Sequence, residues 1–137
     1  PDETVNNSST LQDDNDLFFA MLANETWGMD IWLYISHATI TPDFKLRINV
    51  PAAATLVGIA NGTYLLGTTQ NVRQMIVAGM PYIFADNTNT HVTPIHIRAT
   101  IVNGANAGNV QLQWAQVAAT VEDTKVLIGS NLVATRK

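Results

Sequence analysis

Gly108 to Arg136, GNVQLQWAQVAATVEDTKVLIGSNLVATR, decides how the rest of the chain is read. In Val110-Gln111-Leu112-Gln113-Trp114, apolar and polar residues alternate. That period puts Val110, Leu112 and Trp114 on one face of a strand and the glutamines on the other. A second strand is expected from Val126, Ile128, Leu132 and Ala134. Gly129-Ser130 interrupts it, which predicts a bulge or bend at that point. The connection, Ala118 to Thr124, holds the acidic pair Glu122-Asp123. These two strands are expected to form the spine of a β-sandwich.

Upstream segments fit around that spine. Phe44, Leu46, Ile48 and Val50 alternate with Lys45, Arg47 and Asn49, and Pro42 and Pro51 bracket the run. Ile95, Ile97, Ala99 and Ile101 alternate with His96, Arg98 and Thr100. In Trp27 to Ser36, Met29, Ile31, Leu33 and Ile35 take one face, and Asp30, Trp32 and Tyr34 take the other. A strand with aliphatics on one side and aromatics on the other has little wet surface. Trp32, Tyr34 and Asp30 are therefore subunit-interface candidates, with cover from the leading segment as the alternative.

Shorter strands are expected at Leu17 to Leu22, Thr55 to Ala60, Tyr64 to Leu66, Val72 to Val77 and Met80 to Ala85. Asn61-Gly62 is read as a hairpin turn and Gly79 as a break. No helical period competes, and Asn-, Gly- and Pro-rich turns recur. The fold expected is all-β: a jelly-roll-like antiparallel β-sandwich of about eight strands with an N-terminal arm.

Three stretches carry a family resemblance. AGNVQLQWAQ (Ala107 to Gln116), followed by TKVLIGSNLVATR, resembles the carboxy-terminal signature of small β-domains in tailed-bacteriophage virion proteins. SSTLQDDNDLFFAMLANETW (Ser8 to Trp27) resembles the opening segment of that family, and PDFKLRINVP (Pro42 to Pro51) its first long central strand. The resemblance implies a jelly-roll-like, trimer-forming structural module of the tail-fibre, minor-tail or capsid-decoration type.

Composition agrees with an assembly protein. Of 137 residues 47% are hydrophobic but only 13% are charged, against roughly 25% in ordinary soluble domains. Uncharged polar residues must cover the exterior. Residues 1–44 contain eight acidic groups and no Lys or Arg, whereas 45–137 contain seven basic and three acidic. The acidic leading segment is thus expected to lie against a mildly basic body, its own or a neighbour's. Residues 1–16 are read as an acidic arm reaching a neighbouring subunit or the particle, and 17–137 as the sandwich. Val5, Leu11, Asp13 and Asp14 are the arm-docking candidates. The chain opens at Pro1 without Met, so it is expected to be processed or a piece of a longer chain.

Catalytic and metal chemistry find little support in the residues. Cysteine is absent, which removes disulfides and thiolate ligands. His37, His91 and His96 lack the His-x-His spacing of a cupin-type metal site. The DDND run lacks the glycine and distal glutamate of a calcium loop, so a solvated or capping acidic turn is expected there. GSN at Gly129 lacks the second glycine of a nucleophile elbow, and Glu25 and Glu122 have nothing to bring them together. Nucleic acid is not expected, because there is no basic cluster. No run of 18 apolar residues predicts membrane insertion. Asn87, Asn89 and His91, in a polar loop, are the ligand-loop candidates.

The reading is a non-enzymatic virion protein without cofactors, assembled in the host cytoplasm. It forms a homotrimer that decorates or cements the capsid beside major capsid or tail proteins. The alternative is a tail-fibre or tail-tip domain that binds a host-surface receptor or glycan.

Overall fold

A computed structural model describes residues 1–39, 41–65, 69–84 and 92–137, with only the backbone described at 63–65 and 69–72. These residues form eleven strands and no helix: β1 (Glu3–Val5), β2 (Gln12–Met21), β3 (Thr26–His37), β4 (Phe44–Asn49), β5 (Thr55–Leu65), β6 (Thr69–Val77), β7 (Tyr82–Phe84), β8 (Thr93–Val102), β9 (Gly108–Gln116), β10 (Thr124–Val126) and β11 (Asn131–Arg136). They build two antiparallel sheets. One has seven strands, in the order β1-β10-β3-β8-β5-β6, with β11 also paired to β3; the other is β2-β9-β4-β7.

Strands β2 to β9 pair as nested partners, β2 with β9, β3 with β8, β4 with β7 and β5 with β6. The chain therefore runs as one long hairpin of four strand pairs folded over into two layers. The remaining strands, β1, β10 and β11, extend the larger sheet beyond β3.

Period-two alternation sets the inner faces. Met29, Ile31, Leu33 and Ile35 of β3 are buried, as are Ile95, Ile97, Ala99 and Ile101 of β8. Opposite them, Phe44, Leu46 and Ile48 of β4 and Val110, Leu112 and Trp114 of β9 close the core. Trp114 is fully buried and stacks on Phe44 with ring centroids 5.6 Å apart. A buried indole needs a partner for its N–H. Trp114 Nε1 donates to Asp14 Oδ2 at 3.1 Å.

The opening stretch supplies one strand to each sheet. β9 lies between β2 and β4, while β10 and β11 lie on β3. Residues 117–123 cross between the layers, and the fully buried Gln116 holds that crossing. Its Nε2 donates to Glu122 O at 2.7 Å, and its Oε1 accepts from Thr120 N at 3.1 Å. The expected bulge at Gly129-Ser130 is present. Val126 pairs with Ile35 and Asn131 with Trp32, so four residues, 127–130, face only Leu33 and Tyr34. Gly129 supplies the left-handed backbone there at φ 100°, and Ser130 Oγ accepts the Tyr34 N–H at 3.0 Å. Ile128, expected inside the second strand, is thrown out by this bulge and is exposed.

Several boundaries differ from expectation. Asn61-Gly62 is not a turn: β5 runs through both, with Asn61 opposite Arg73 and Gly62 opposite Val72. The glycine serves packing instead. A Cβ on Gly62 would lie 2.4 Å from the Phe84 ring, so the bare backbone makes room for that side chain. The strand expected over 80–85 begins only at Tyr82 and is described as far as Phe84, with Ala85 outside the described residues.

Residues 1–16 also differ. β1 pairs with β10, β2 already starts at Gln12, and Val5 and Asp14 are buried. The acidic segment is laid along its own sandwich, because its carboxylates accept backbone N–H groups. Asp2 Oδ1 accepts from Ile128 N at 2.7 Å and Glu3 Oε1 from Asn15 N at 2.6 Å. Asp14 Oδ1 caps a bulge in β2, accepting from Leu17 N at 2.8 Å and Asp16 N at 3.0 Å. Of the two roles expected of DDND, a solvated or a capping turn, Asp14 takes the second.

Candidate functional site

The outward positions of the seven-stranded sheet form three rows in register. One runs Thr135–Gly28–Thr100–Val57–Val77, the next Val133–Asp30–Arg98–Ile59–Met75, and the third Asn131–Trp32–His96–Asn61–Arg73. The interface candidates Asp30, Trp32 and Tyr34 all lie on this face, Trp32 42% exposed and the other two half-buried.

At the centre is a polar cluster. Asp30 Oδ1 lies 2.5 Å from His96 Nε2, and Arg98 Nε donates to Asp30 Oδ2 at 2.8 Å. Burial raises the Asp30 carboxyl, but these hydrogen bonds outweigh it and hold the group below its usual range. The Trp32 indole stacks on the His96 ring, centroids 4.1 Å apart and 11° from parallel. Trp32 and Asp30 are thus both engaged by their own sheet.

On the β5 and β6 side lies a different surface. Met75 is 71% exposed and Val57 62%, with Val77, Val102 and the half-buried Ile59 beside them. Single exposed aliphatics are ordinary, whereas here five lie together on one face. β6 is also the edge of the sheet, nine residues long. An edge of that length presents unpaired backbone N–H and C=O groups.

On the β11 side, a groove of about 360 Å³ crosses β11, β3 and β8. Gly28 leaves its floor bare, and Asp30, Arg98, Thr100, Val133, Thr135 and Lys137 line it. Lys137 Nζ reaches Thr100 Oγ1 at 3.3 Å.

Sequence reasoning placed Trp32, Tyr34 and Asp30 on one face but missed His96 and Arg98 as their partners. It also missed the β5–β6 patch. In Thr55 to Ala60 both phases are apolar or small, so alternation gives no sign of which side is wet. The arm-docking candidates are separated: Val5 is in the core, Leu11 is half-buried, Asp13 accepts from Gln113 at 2.6 Å and Asp14 holds Trp114. The ligand-loop candidates Asn87, Asn89 and His91 lie outside the described residues.

Among the described residues no group of three His, Asp or Glu is placed to hold a metal. His37 and His96 face opposite sides of the sheet, one buried near Thr124 and the other on the outer face. Ser130 is occupied by the backbone of Tyr34. Glu25 closes the β2–β3 turn. Its hydrogen bonds from Trp27 Nε1 (3.0 Å) and Leu22 N (2.8 Å) hold it below the usual carboxylate range, with Arg136 adding to the effect. Comparison with family models, curated proteins and solved structures finds no match for this chain.

Proposed function

We propose that the chain is a non-enzymatic structural module of a phage virion, a homotrimeric jelly-roll sandwich that decorates or cements the capsid. The observation that carries this reading is the apolar patch of Val57, Ile59, Met75, Val77 and Val102 on the outer face and edge of the larger sheet. A surface of that kind stays out of water best against another copy of itself or a shell protein. The nested pairing of β2 to β9 supports the jelly-roll part, since that order is two Greek keys in two layers. The three stretches that resemble phage modules contain β2, β4 and β9, which are adjacent in the smaller sheet, and β10 and β11, which both pair with β3 in the larger. The contact centres on β5 and β6 rather than on Trp32 and Tyr34, because Trp32 is stacked on His96 within its own chain.

Light scattering on the purified protein tests this. Three times the 14.9 kDa chain mass is expected, falling toward one chain in the Val57→Lys/Met75→Lys double variant. A wild-type monomer across the accessible concentration range would reject the assembly. A tail-fibre or tail-tip domain that binds host-surface glycan is the second reading, favoured by the groove across β11, β3 and β8.

A further inference from the structure

We propose that the apolar patch on β5 and β6 docks on the opposite edge of the next copy, at the β10–β11 bulge and the acidic strands β1 and β2, so that the trimer closes head to tail. The proposal rests on the homotrimer reading and names the second surface which that reading requires.

Symmetry calls for that second surface. A patch that meets the same patch on its neighbour is satisfied by two copies, whereas a closed ring of three joins two different surfaces at every junction. The larger sheet has β6 at one end and β1 at the other, five strand spacings apart in the order of the sheet, roughly 24 Å. No single side chain spans that distance. Groups that complement each other from the two ends therefore meet only between copies.

The two ends differ in charge as such a contact needs. β5, β6 and β7 contain one charged residue among them, Arg73. It is exposed on the outer face two residues from Met75, and it pairs with no carboxylate among the described residues. At the other end β1 and β2 contain Glu3, Asp13, Asp14 and Asp16 and no base. Asp13 and Asp14 are bonded to Gln113 and Trp114, but Asp2 and Asp16 are exposed. The bases of the adjoining strands are engaged, Lys125 by Asp123 at 3.6 Å and Arg136 by Glu25 at 3.2 Å. A hollow of about 100 Å³ beside Ile128 is walled by Glu3, Asp14 and Asp16, to which Pro1 brings at most one amine.

Apolar groups stand beside the charges at both ends. Met75 adjoins Arg73 on β6, and Ile128, 77% exposed, adjoins the acidic hollow. Val133, also exposed, continues that side along β11. The bulge is held in shape before any partner arrives, with Ile128 N donating to Asp2 at 2.7 Å and Tyr34 N to Ser130 Oγ at 3.0 Å. In the contact, Val57, Met75 and Val77 lose water against Ile128 and Val133. Arg73 meets the Asp2 and Asp16 carboxylates at the rim, so no charge is buried alone.

The test exchanges charges in the intact chain and reads mass by light scattering, at a concentration where the wild type holds three copies. Arg73→Glu and Asp16→Lys each set like charges against one another at every junction. Each should weaken association at least tenfold and bring the mass toward 14.9 kDa. The double variant Arg73→Glu/Asp16→Lys reverses both sides of the junction and should recover most of the mass. Ile128→Lys, at the opposite edge from the patch, should lower the mass as Met75→Lys does. If Asp16→Lys does not fold, Asp16→Asn replaces it and should weaken association severalfold. The proposal is overturned if Asp16→Lys and Ile128→Lys keep three copies, or if the double variant is no heavier than Arg73→Glu. Mass lost only in Val57→Lys/Met75→Lys would leave the assembly standing with its patch docked elsewhere. A wild-type monomer rejects the assembly and this contact together.

Discussion

On the four-stranded sheet, polar side chains of the outer face bond to one another across strands. Asp13 on β2 accepts from Gln113 on β9 at 2.6 Å, and Gln113 Oε1 accepts from Arg47 on β4, Nε at 2.8 Å. Gln111 Nε2 donates to Asp14 O at 2.8 Å. On the seven-stranded sheet Asp30, His96 and Arg98 organise the middle this way, while β5 and β6 hold the aliphatic side chains of Val57, Met75 and Val77 to solvent. Both sheets bury equally apolar inner faces, so the contrast does not come from the core. Polar groups that satisfy one another need no partner, and the exposed Phe18 and Ile83 stand singly on opposite edge strands of that sheet. A surface of Val57, Ile59, Met75 and Val77 gains only when something covers it.

The strongest way to break this comparison is to remove what fastens the acidic segment to the polar sheet. Asp14→Ala strips the acceptor from Trp114 Nε1, Leu17 N and Asp16 N, and should cost about 2–5 kcal/mol in urea unfolding. Asp16→Ala, at an exposed side chain, should stay within about 0.5 kcal/mol. Equal midpoints for the two would mean that the segment is an appendage after all.

Next comes a contrast within β5. Gly62→Ala points into the Phe84 ring and should destabilise by about 1–3 kcal/mol. Val57→Thr points outward and should move the unfolding free energy of the monomer by no more than about 0.5 kcal/mol. Its effect should fall on association, measured by light scattering. On the polar face, Arg47→Ala loses its contact with Gln113 and should cost about 0.5–1.5 kcal/mol, with no change in mass. A mass change from Arg47→Ala rather than Val57→Thr would reverse the assignment of the two faces.

The sandwich was legible because alternation is a strong signal wherever one face is dry and the other wet. Phe44 to Val50, Thr93 to Val102 and Val110 to Trp114 all obey it, and all three take the expected faces. Legibility failed where both faces resemble each other. β5 hides Gly58 and Ala60 inside and shows Val57 and Ile59 outside, the inverse of the usual size order, so Asn61-Gly62 looked like a turn. Residues 1–16 were legible only as an acidic segment lying on its own or a neighbour's body, for another reason. Their carboxylates are stabilised by backbone N–H groups of distant strands, and composition cannot report such partners. The site was half legible: Asp30 and Trp32 could be put on one face, but His96 and Arg98 join them only through the β3–β8 register.

The smallest expected effect is in acid. His96 and Arg98 hold Asp30 below the ordinary carboxylate range despite the opposing effect of burial, so the folded state resists protonating it. The ionised group therefore contributes its full stabilisation above the unfolded value of about 3.9, and that contribution drains away as pH falls through the lower folded value. Asp30→Asn should flatten the acid limb of a stability-versus-pH curve by less than about 1 kcal/mol, since the pair is partly open to solvent. A residual slope of the same sign should survive in the variant, because Glu25 is depressed too, chiefly by the Trp27 indole. Glu3 and Asp43, raised by burial, act oppositely, with stability falling as pH rises through their folded values. Urea unfolding of both proteins from neutral pH into acid measures the difference directly. Parallel curves would show that the cluster under Trp32 orders the face without stabilising the fold.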